Sequence, residues 1–542
     1  MNNLLTKIII IGFGVTLSCQ SLAGVKLADV FSDNMVLQRD KPVNIWGQAD
    51  PGEAVKVTFS EQSLTTVANI DGTWAVQLAP LSANKHGQQL QVTAQNTQVI
   101  NNILIGDVWL ASGQSNMKYP TQGILNSKEV IAKGNNPLIR LLNIKQKIEK
   151  QAQTKLADKW QVSSANSIKQ FSALAAVFSQ EIQPQLDVPI GIISAAVGST
   201  SVEAWVSKDV LQSDLFAPAV AKWQEVENNW DVYEAAYFQE ELVKHQRYLA
   251  KMKSQGKTIP PKRLKPPTKA IAPHESRQYP SGSYNGMLHP LFPMTLKGVL
   301  WRQGEANMQR GWQYQFLLAE MINLWRSNFK QADLPFIQVQ LPEQKRAVAV
   351  PRDSAIAETR ESQFKVGTKL ANVHTVVTID LQQQGDIHPK NKIVVGQRIA
   401  SVALNKVYGI DKRFSSPVFS HVKQSDTTLF VYFSDISKGL VTANRKIGSG
   451  IQLLQTHDAP VGFAIAGKDK VFHWADAKLI NNVAVLSHRD VKQPLYVRYG
   501  WADNPEGLNV YDASGGPLMP FRSDTLPAIS KGNVEDKVRM NR

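Results

Sequence analysis

From residue 25 to about residue 98, apolar and polar positions alternate with period two. The runs are Val43-Asn44-Ile45-Trp46, Ala54-Val55-Lys56-Val57-Thr58-Phe59, Thr73-Trp74-Ala75-Val76-Gln77-Leu78 and Leu90-Gln91-Val92-Thr93. Asp50-Pro51-Gly52 and Asp71-Gly72 between them are turn sequences. The pattern predicts a small antiparallel β-domain over 24–99, a sandwich or jelly roll. From about residue 100 the texture changes. Val108-Trp109-Leu110-Ala111, Ile190-Gly191-Ile192-Ile193-Ser194-Ala195-Ala196, Gly298-Val299-Leu300-Trp301, Phe336-Ile337-Gln338-Val339 and Thr375-Val376-Val377-Thr378-Ile379 are almost wholly apolar. Residues 314–329 and 392–408 carry helical periodicity instead. Apolar strands alternating with amphipathic helices predict an α/β domain over 100–412, with a parallel sheet covered on both faces. Short alternating runs return over 413–525, among them Leu429-Phe430-Val431-Tyr432-Phe433 and Val483-Ala484-Val485-Leu486. They predict a C-terminal β-rich domain, and the polar tail after it, 526–542, is expected to be disordered.

Inside the α/β part, 216–277 reads as an insertion. Trp223, Val226, Trp230, Tyr233 and Tyr237 recur at steps of three and four, which is one helix face. That face is expected to pack on the body; a platform for stacking sugars is the alternative.

A chain of 542 residues is long for one core and asks for two or three domains. Residues 1–23 have a short polar start with Lys7, an apolar run over 8–17 and a small-residue exit, Ser21-Leu22-Ala23. This is the pattern of a secretory signal peptide, and nothing later is long and apolar enough to span a membrane. The only cysteine, Cys19, lies in that segment, so a chain cleaved after Ala23 has no thiol and no disulfide. The periplasm or the outside medium is the expected location. The net charge of +15 is unevenly spread. Lys251, Lys253, Lys257, Lys262, Arg263, Lys265 and Lys269 lie together among Pro260, Pro261, Pro266 and Pro267, with no acid and no aromatic residue interleaved. That is a solvated loop rather than a nucleic-acid surface, and no nucleic-acid partner is expected.

Three apolar strands run into turns that carry reactive side chains. Gly113-Gln114-Ser115-Asn116-Met117 follows the first, Gly198-Ser199-Thr200 the second and Gly304-Glu305-Ala306-Asn307 the third; Asp386-Ile387-His388-Pro389 comes later. Ligands of such sheets sit beyond the carboxyl ends of the strands. A serine on a sharp turn after a buried strand presents its hydroxyl, although Met117 rules out the Gly-x-Ser-x-Gly elbow. Backbone N–H groups at Ser115 and Gly198 and the Asn307 amide are donors suited to an oxyanion. His388 is the candidate base, with Asp386 two residues earlier on the same side of an extended segment and Asp380 as a competing partner. Taken singly, each stretch is an ordinary turn. Together they supply what acyl transfer from an ester requires.

At this point the residues carry a resemblance. Gly106-Asp107-Val108-Trp109-Leu110-Ala111-Ser112-Gly113-Gln114-Ser115-Asn116-Met117 resembles the nucleophile block of the sialate O-acetylesterase family, within the SGNH-hydrolase superfamily. Asn34-Met35-Val36-Leu37-Gln38, Tyr284-Asn285-Gly286-Met287, Trp301-Arg302-Gln303-Gly304-Glu305-Ala306-Asn307, Asp386-Ile387-His388-Pro389-Lys390-Asn391-Lys392, Arg498-Tyr499-Gly500-Trp501 and Pro520-Phe521-Arg522-Ser523-Asp524 are similar to its other blocks. The resemblance implies a flavodoxin-like SGNH-hydrolase three-layer sandwich flanked by β-rich domains. By it Ser115 attacks an acetyl ester, His388 is its base, Asp386 supports His388, and Ser115, Gly198 and Asn307 form the oxyanion hole. No metal or cofactor is implied. Gln114, Gln303, Glu305 and Arg302 are the candidate substrate contacts, Arg302 being either a partner for a sialate carboxylate or a buried structural arginine. The chain departs from the family where Gly-Gly-Thr is Gly198-Ser199-Thr200, where the tyrosine before Gln303 is Arg302, and where the serine before Asn307 is Ala306. The expected activity is a carbohydrate O-acetylesterase acting on sialic acids. Acetylated xylan or another polysaccharide is the rival substrate, and a non-catalytic carbohydrate-binding protein is the alternative from another class.

Overall fold

The computed structural model describes residues 24–381, 386–410, 414–445, 453–534 and 538. The expected signal peptide, with Cys19, lies outside them. No helix among the described residues is long and apolar enough to cross a membrane.

The fold is mixed α/β around a central sheet. Seven of its strands are β1 (Thr97–Gly113), β2 (Asn136–Asn143), β3 (Gln161–Ser163), β4 (Ile190–Ala196), β5 (Gly298–Arg302), β6 (Phe336–Val339) and β7 (Val373–Val376), in the spatial order β3-β2-β4-β1-β5-β6-β7. All neighbours run parallel except the edge pair β2 and β3. The main helices are α1 (Ser115–Lys118), α2 (Ala173–Leu186), α3 (Ala217–Asn228), α4 (Trp230–Ser254), α5 (Gly311–Asn328), α6 (Ala355–Lys369) and α7 (Lys392–Lys406).

Because strand side chains alternate, β1 feeds two cores at once. Val108 and Leu110 pack with Leu317, Leu318 and Met321 of α5 on one face. Trp109 and Ala111 pack with Leu174 and Phe178 of α2 and Val395 and Ile399 of α7 on the other. Burial on both faces is why the strands read as continuous apolar runs.

β1 is 17 residues long and serves two layers. Its first half pairs antiparallel with Asn84–Thr93 of the N-terminal β-region, and its second half is the middle of the parallel sheet. A domain boundary between residues 99 and 100 therefore falls inside one strand. The insertion also differs from expectation. Its aromatic stripe is split by Asn229, at φ −121° and ψ 33°, into two helices. Trp223 and Val226 of α3 are buried, whereas α4 has no buried residue, so only the first part of the stripe packs on the body.

The C-terminal β-sheets are stitched to the α/β region by buried arginines. Arg360 of α6 donates to the carbonyls of Leu341, Ala502 and Asp503 at 2.8–3.1 Å. Arg498 bridges Asp524 at 2.7 Å and Asp353 at 2.8 Å, and Arg522 pairs with Glu361 at 2.9 Å. The start of the tail, expected to be disordered, docks instead. The Ile529 and Ser530 N–H groups donate to Glu358 at 2.6 and 3.0 Å, and Ser530 is fully buried.

Candidate active site

Strand register brings the three turns to one level. Gly113 pairs with Ala196 of β4 on one side and with Arg302 of β5 on the other. The ladder continues through Val197 N–H to Gly113 O and Gln114 N–H to Arg302 O, both 3.0 Å. The residues that follow, Ser115, Gly198 and Gly304, therefore leave the sheet side by side. Gly113 must be glycine: its φ is +134°, and a Cβ there would lie 2.2 Å from Arg302 O. Gly198 abuts the nucleophile candidate, since a Cβ built on it would be 3.5 Å from Ser115 Cβ. The N–H groups of Ser115 and Gly198 donate to no other described residue.

Ser115, Gly198 and His388 line one pocket of about 460 Å³, together with Tyr119, Lys118 and Arg277. A pocket of that size suits a small ligand. His388 is half-buried, on the segment that leads into α7. Its N–H donates to Asp386 Oδ1 at 2.8 Å, and its ring lies 6.0 Å from the Tyr119 ring at an inclination of 32°. Burial and the Lys392 ammonium push the imidazole below its ordinary pKa, against the opposing pull of Asp386 and Glu305. Asp380 is committed elsewhere. Its carboxylate takes Arg398 in a two-pronged pair at 2.7 Å, Arg445 at 3.0 Å and Tyr511 Oη at 3.0 Å.

Asn307 sits in a buried polar cluster. Its Oδ1 accepts from Val202 N–H at 3.0 Å and Gln303 Nε2 at 2.8 Å, which fixes the amide so that Nδ2 donates to Glu203 at 3.0 Å. That leaves one amide hydrogen for a further acceptor. Glu203 is in turn paired with buried Arg310. Burial drives the Glu203 carboxyl up, but Arg310 and the hydrogen bonds outweigh it and the net shift is downward. Gln114 Oε1 accepts from the Gly304 and Ala306 N–H groups at 3.4 Å, tying the serine turn to the asparagine turn.

A second cluster lies beside it. Arg302 grips Glu305 with two hydrogen bonds, 2.7 and 3.1 Å, and is 4% exposed. Asn116, next to Ser115, donates to Glu305 at 2.8 Å and to Ile387 O at 3.1 Å, and accepts from Lys392 Nζ at 2.6 Å. The residue after the serine thus staples the segment that bears the histidine.

Of the residues singled out in the sequence, Ser115, Gly198 and His388 meet on the pocket wall, with Asp386 bonded to the His388 backbone. Asn307, Gln114, Gln303, Glu305 and Arg302 are buried in the clusters beneath and are not among the residues lining the pocket. Asn116, Glu203, Arg277 and Lys392 were not read from the sequence. Only Asn116 and Lys392 left a signal, as members of motif blocks. Among the described residues, His473, His488 and Asp490 form a group with the spacing of metal ligands, but it lies in the C-terminal β-region and lines no part of this pocket.

The profile of a family described as carbohydrate esterase, sialic acid-specific acetylesterase, matches residues 105–254 and 282–405. The sialate O-acetylesterase of Rattus norvegicus is 30% identical, and that of Mus musculus 29%, each over 71% of this chain and 74% of its own length. The Homo sapiens sialate O-acetylesterase is 27% identical over 71% of this chain and 72% of its own length. The solved structure of a carbohydrate acetylesterase from Xanthomonas citri superposes with a TM-score of 0.74 at 29% identity, covering 93% of this chain and 100% of that one.

Proposed function

The chain belongs to the sialic acid-specific acetylesterase family of carbohydrate esterases, and from that premise we propose how the residues of its pocket carry the reaction. It is a carbohydrate O-acetylesterase. Ser115 Oγ attacks the acetyl carbonyl while the His388 imidazole takes its proton. The oxyanion of the tetrahedral intermediate accepts hydrogen bonds from the Ser115 and Gly198 N–H groups and the free Asn307 amide hydrogen. Collapse expels the sugar hydroxyl, which receives the proton from His388. Water, activated by the same imidazole, then releases acetate from the acetyl-serine. Asp386 holds the His388 backbone and its charge favours the imidazolium of the transition state. What supports this route is the meeting of Ser115, Gly198 and His388 on one pocket at the carboxyl ends of adjacent parallel strands.

The central domain, with α2 and α7 on one face and α5 and α6 on the other, is read as a flavodoxin-like SGNH-hydrolase sandwich. Residues 1–23 are read as a signal peptide that directs the enzyme to the periplasm or beyond. The acetylated sugar is read as a sialic acid, in line with the family's description and the names of the relatives. The test is kcat/KM for acetate release from 9-O-acetylated sialic acid against acetylated xylo-oligosaccharides. A preference for sialate is expected, and a clear preference for the xylo-oligosaccharides overturns the assignment. Ser115→Ala should lose ~10⁴- to 10⁶-fold in kcat on either substrate; a smaller loss removes Ser115 from the nucleophile's role.

A further inference from the structure

The wall of the catalytic pocket carries three cations and no acidic residue. Lys118, Lys145 and Arg277 line it beside Ser115 and His388, and no Asp or Glu does. Lys145 is the outlying member, its side chain 86% exposed and its Nζ 4.0 Å from Asp158. Lys118 and Arg277 form no ion pair with any described residue. They do feel each other: burial first, and then the Arg277 charge, push the Lys118 ammonium below its ordinary pKa. Two cations held together without a counter-ion are stabilised by any anion placed between them.

The position of Arg277 is defined. Its Nη1 lies 3.8 Å from the point a Gly198 Cβ would occupy, a point itself 3.5 Å from Ser115 Cβ. The flanking chain is anchored to the turn after β4. Gln278 Nε2 donates to Ser199 O at 2.6 Å, and Ser281 N–H donates to Glu203 O at 2.8 Å. Arg277 is thus pinned on the oxyanion turn, although it belongs to residues 255–281, which fall between the two stretches that the family profile matches.

We propose that Arg277, with Lys118 facing it, is an anion-binding arm that receives a carboxylate of the acetylated sugar, and that Arg277 is therefore a specificity-determining residue. The guanidinium presents a planar fork that matches a carboxylate, and Lys118 adds a point charge. A neutral acetylated sugar leaves both cations unmatched. The proposal rests on the reading of Ser115 as nucleophile, so the two are tested separately.

The experiment compares 9-O-acetyl-N-acetylneuraminic acid with its methyl ester, which keeps the acetyl group and removes the carboxylate charge. Wild type is expected to favour the acid in kcat/KM by about 10- to 100-fold, the worth of a charge-assisted hydrogen bond. Arg277→Gln should bring that ratio close to one, chiefly through KM for the acid, and Arg277→Lys should restore part of it. The proposal is overturned if wild type shows no preference for the acid. It is also overturned if the Arg277→Gln ratio stays at the wild-type value, including the case in which both substrates slow equally because Arg277 serves the oxyanion or the fold. Hydrolysis of 4-nitrophenyl acetate by wild type and Ser115→Ala reads the chemistry alone. Activity that survives Ser115→Ala there defeats the nucleophile assignment whatever Arg277 does.

Discussion

Two arginines beside the turns of one site meet opposite fates. Arg302, at the end of β5, is 4% exposed and spends both arms of its guanidinium on Glu305. Arg277, on the insertion, faces the pocket with no ion-pair partner among the described residues. The contrast extends to their surroundings. Beneath the pocket, Glu203 is paired with Arg310, and Asp380 is paired with Arg398 and Arg445. A buried charge without a partner costs several kcal/mol, so these groups are matched and serve to hold turns and layers in place. A charge at the pocket wall keeps enough water to stay unmatched until a ligand arrives. Pairing, rather than residue type or distance from the serine, separates architecture from recognition here.

The largest effect is expected where pairing is densest. Asp380, its side chain 2% exposed, holds Arg398, Arg445 and Tyr511 as a hub between α7 and the C-terminal β-sheets. Burial alone would raise its pKa, but the two guanidinium charges and the hydrogen bonds leave it at about 2. A carboxylate with a lowered folded-state pKa adds stability that is complete above its ordinary value near 4 and is lost as pH falls towards 2. Asp380→Asn should cost about 3–5 kcal/mol at pH 7 by stranding two buried cations, and should flatten the stability profile between about pH 4 and 2. Urea melts at a series of pH values measure both. A loss below about 1 kcal/mol would mean that the pairing carries no weight and would collapse the contrast with Arg277.

How much of this was legible follows from the same logic. The runs 108–111, 190–196 and 298–301 were readable as parallel strands because both of their faces are buried, which removes polar positions. The turns after them were readable because a glycine and a polar residue interrupt an apolar run at the strand end. Helix α2 was not predicted: Ala173 to Phe178 are buried all round, so no amphipathic stripe marks them. The Asn229 break between α3 and α4 was missed because the apolar spacing continues across it. Arg302 stayed open between a ligand partner and a structural arginine because its partner Glu305 lies on a turn whose path the sequence does not define. Arg277 was passed over because it lies 162 positions from Ser115, with nothing local to tie it there.

The next effect tests whether a matched cluster can act on the reaction from beneath. Glu203 and Gln303 orient the Asn307 amide, and one hydrogen of that amide is left for a further acceptor, proposed above to be the oxyanion. Asn307→Ala is expected to lower kcat by about 10²- to 10³-fold with a much smaller change in KM, as for removal of one oxyanion donor. Steady-state kinetics on 4-nitrophenyl acetate, which has no sugar to bind, isolates this step. An unchanged kcat would leave Asn307 with only its structural bonds.

Lys392 gives a smaller and more diagnostic effect. Its ammonium is buried and bonded to Asn116, and burial first, then the Arg302 charge, lower its pKa to about 7. That charge also helps to keep the His388 imidazole below its ordinary pKa, so the base is neutral at a lower pH than it would otherwise be. Lys392→Met removes the charge, and the acidic limb of kcat/KM should move to higher pH, a loss of less than about tenfold near neutrality. Lys392→Arg should leave the limb close to its wild-type position. If Lys392→Met lowers Tm while the limb stays put, the lysine is a packing group and nothing more.

The smallest effect concerns a residue with no charge at all. Ser199, in the turn after β4, adopts φ +65°, the left-handed region. A side chain there costs roughly 1 kcal/mol, while glycine in its place loses roughly 0.5–1 kcal/mol more chain entropy on folding. The two nearly cancel. Ser199→Gly should therefore shift stability by less than about 1 kcal/mol and leave kcat/KM within about twofold, since it is the Ser199 carbonyl, not its hydroxyl, that holds Gln278 beside Arg277. Thermal melts and the acid-to-methyl-ester ratio would read this together. A collapse of that ratio without loss of Tm would show that the backbone of this turn, loosened by glycine, is what aims the unmatched guanidinium at its ligand.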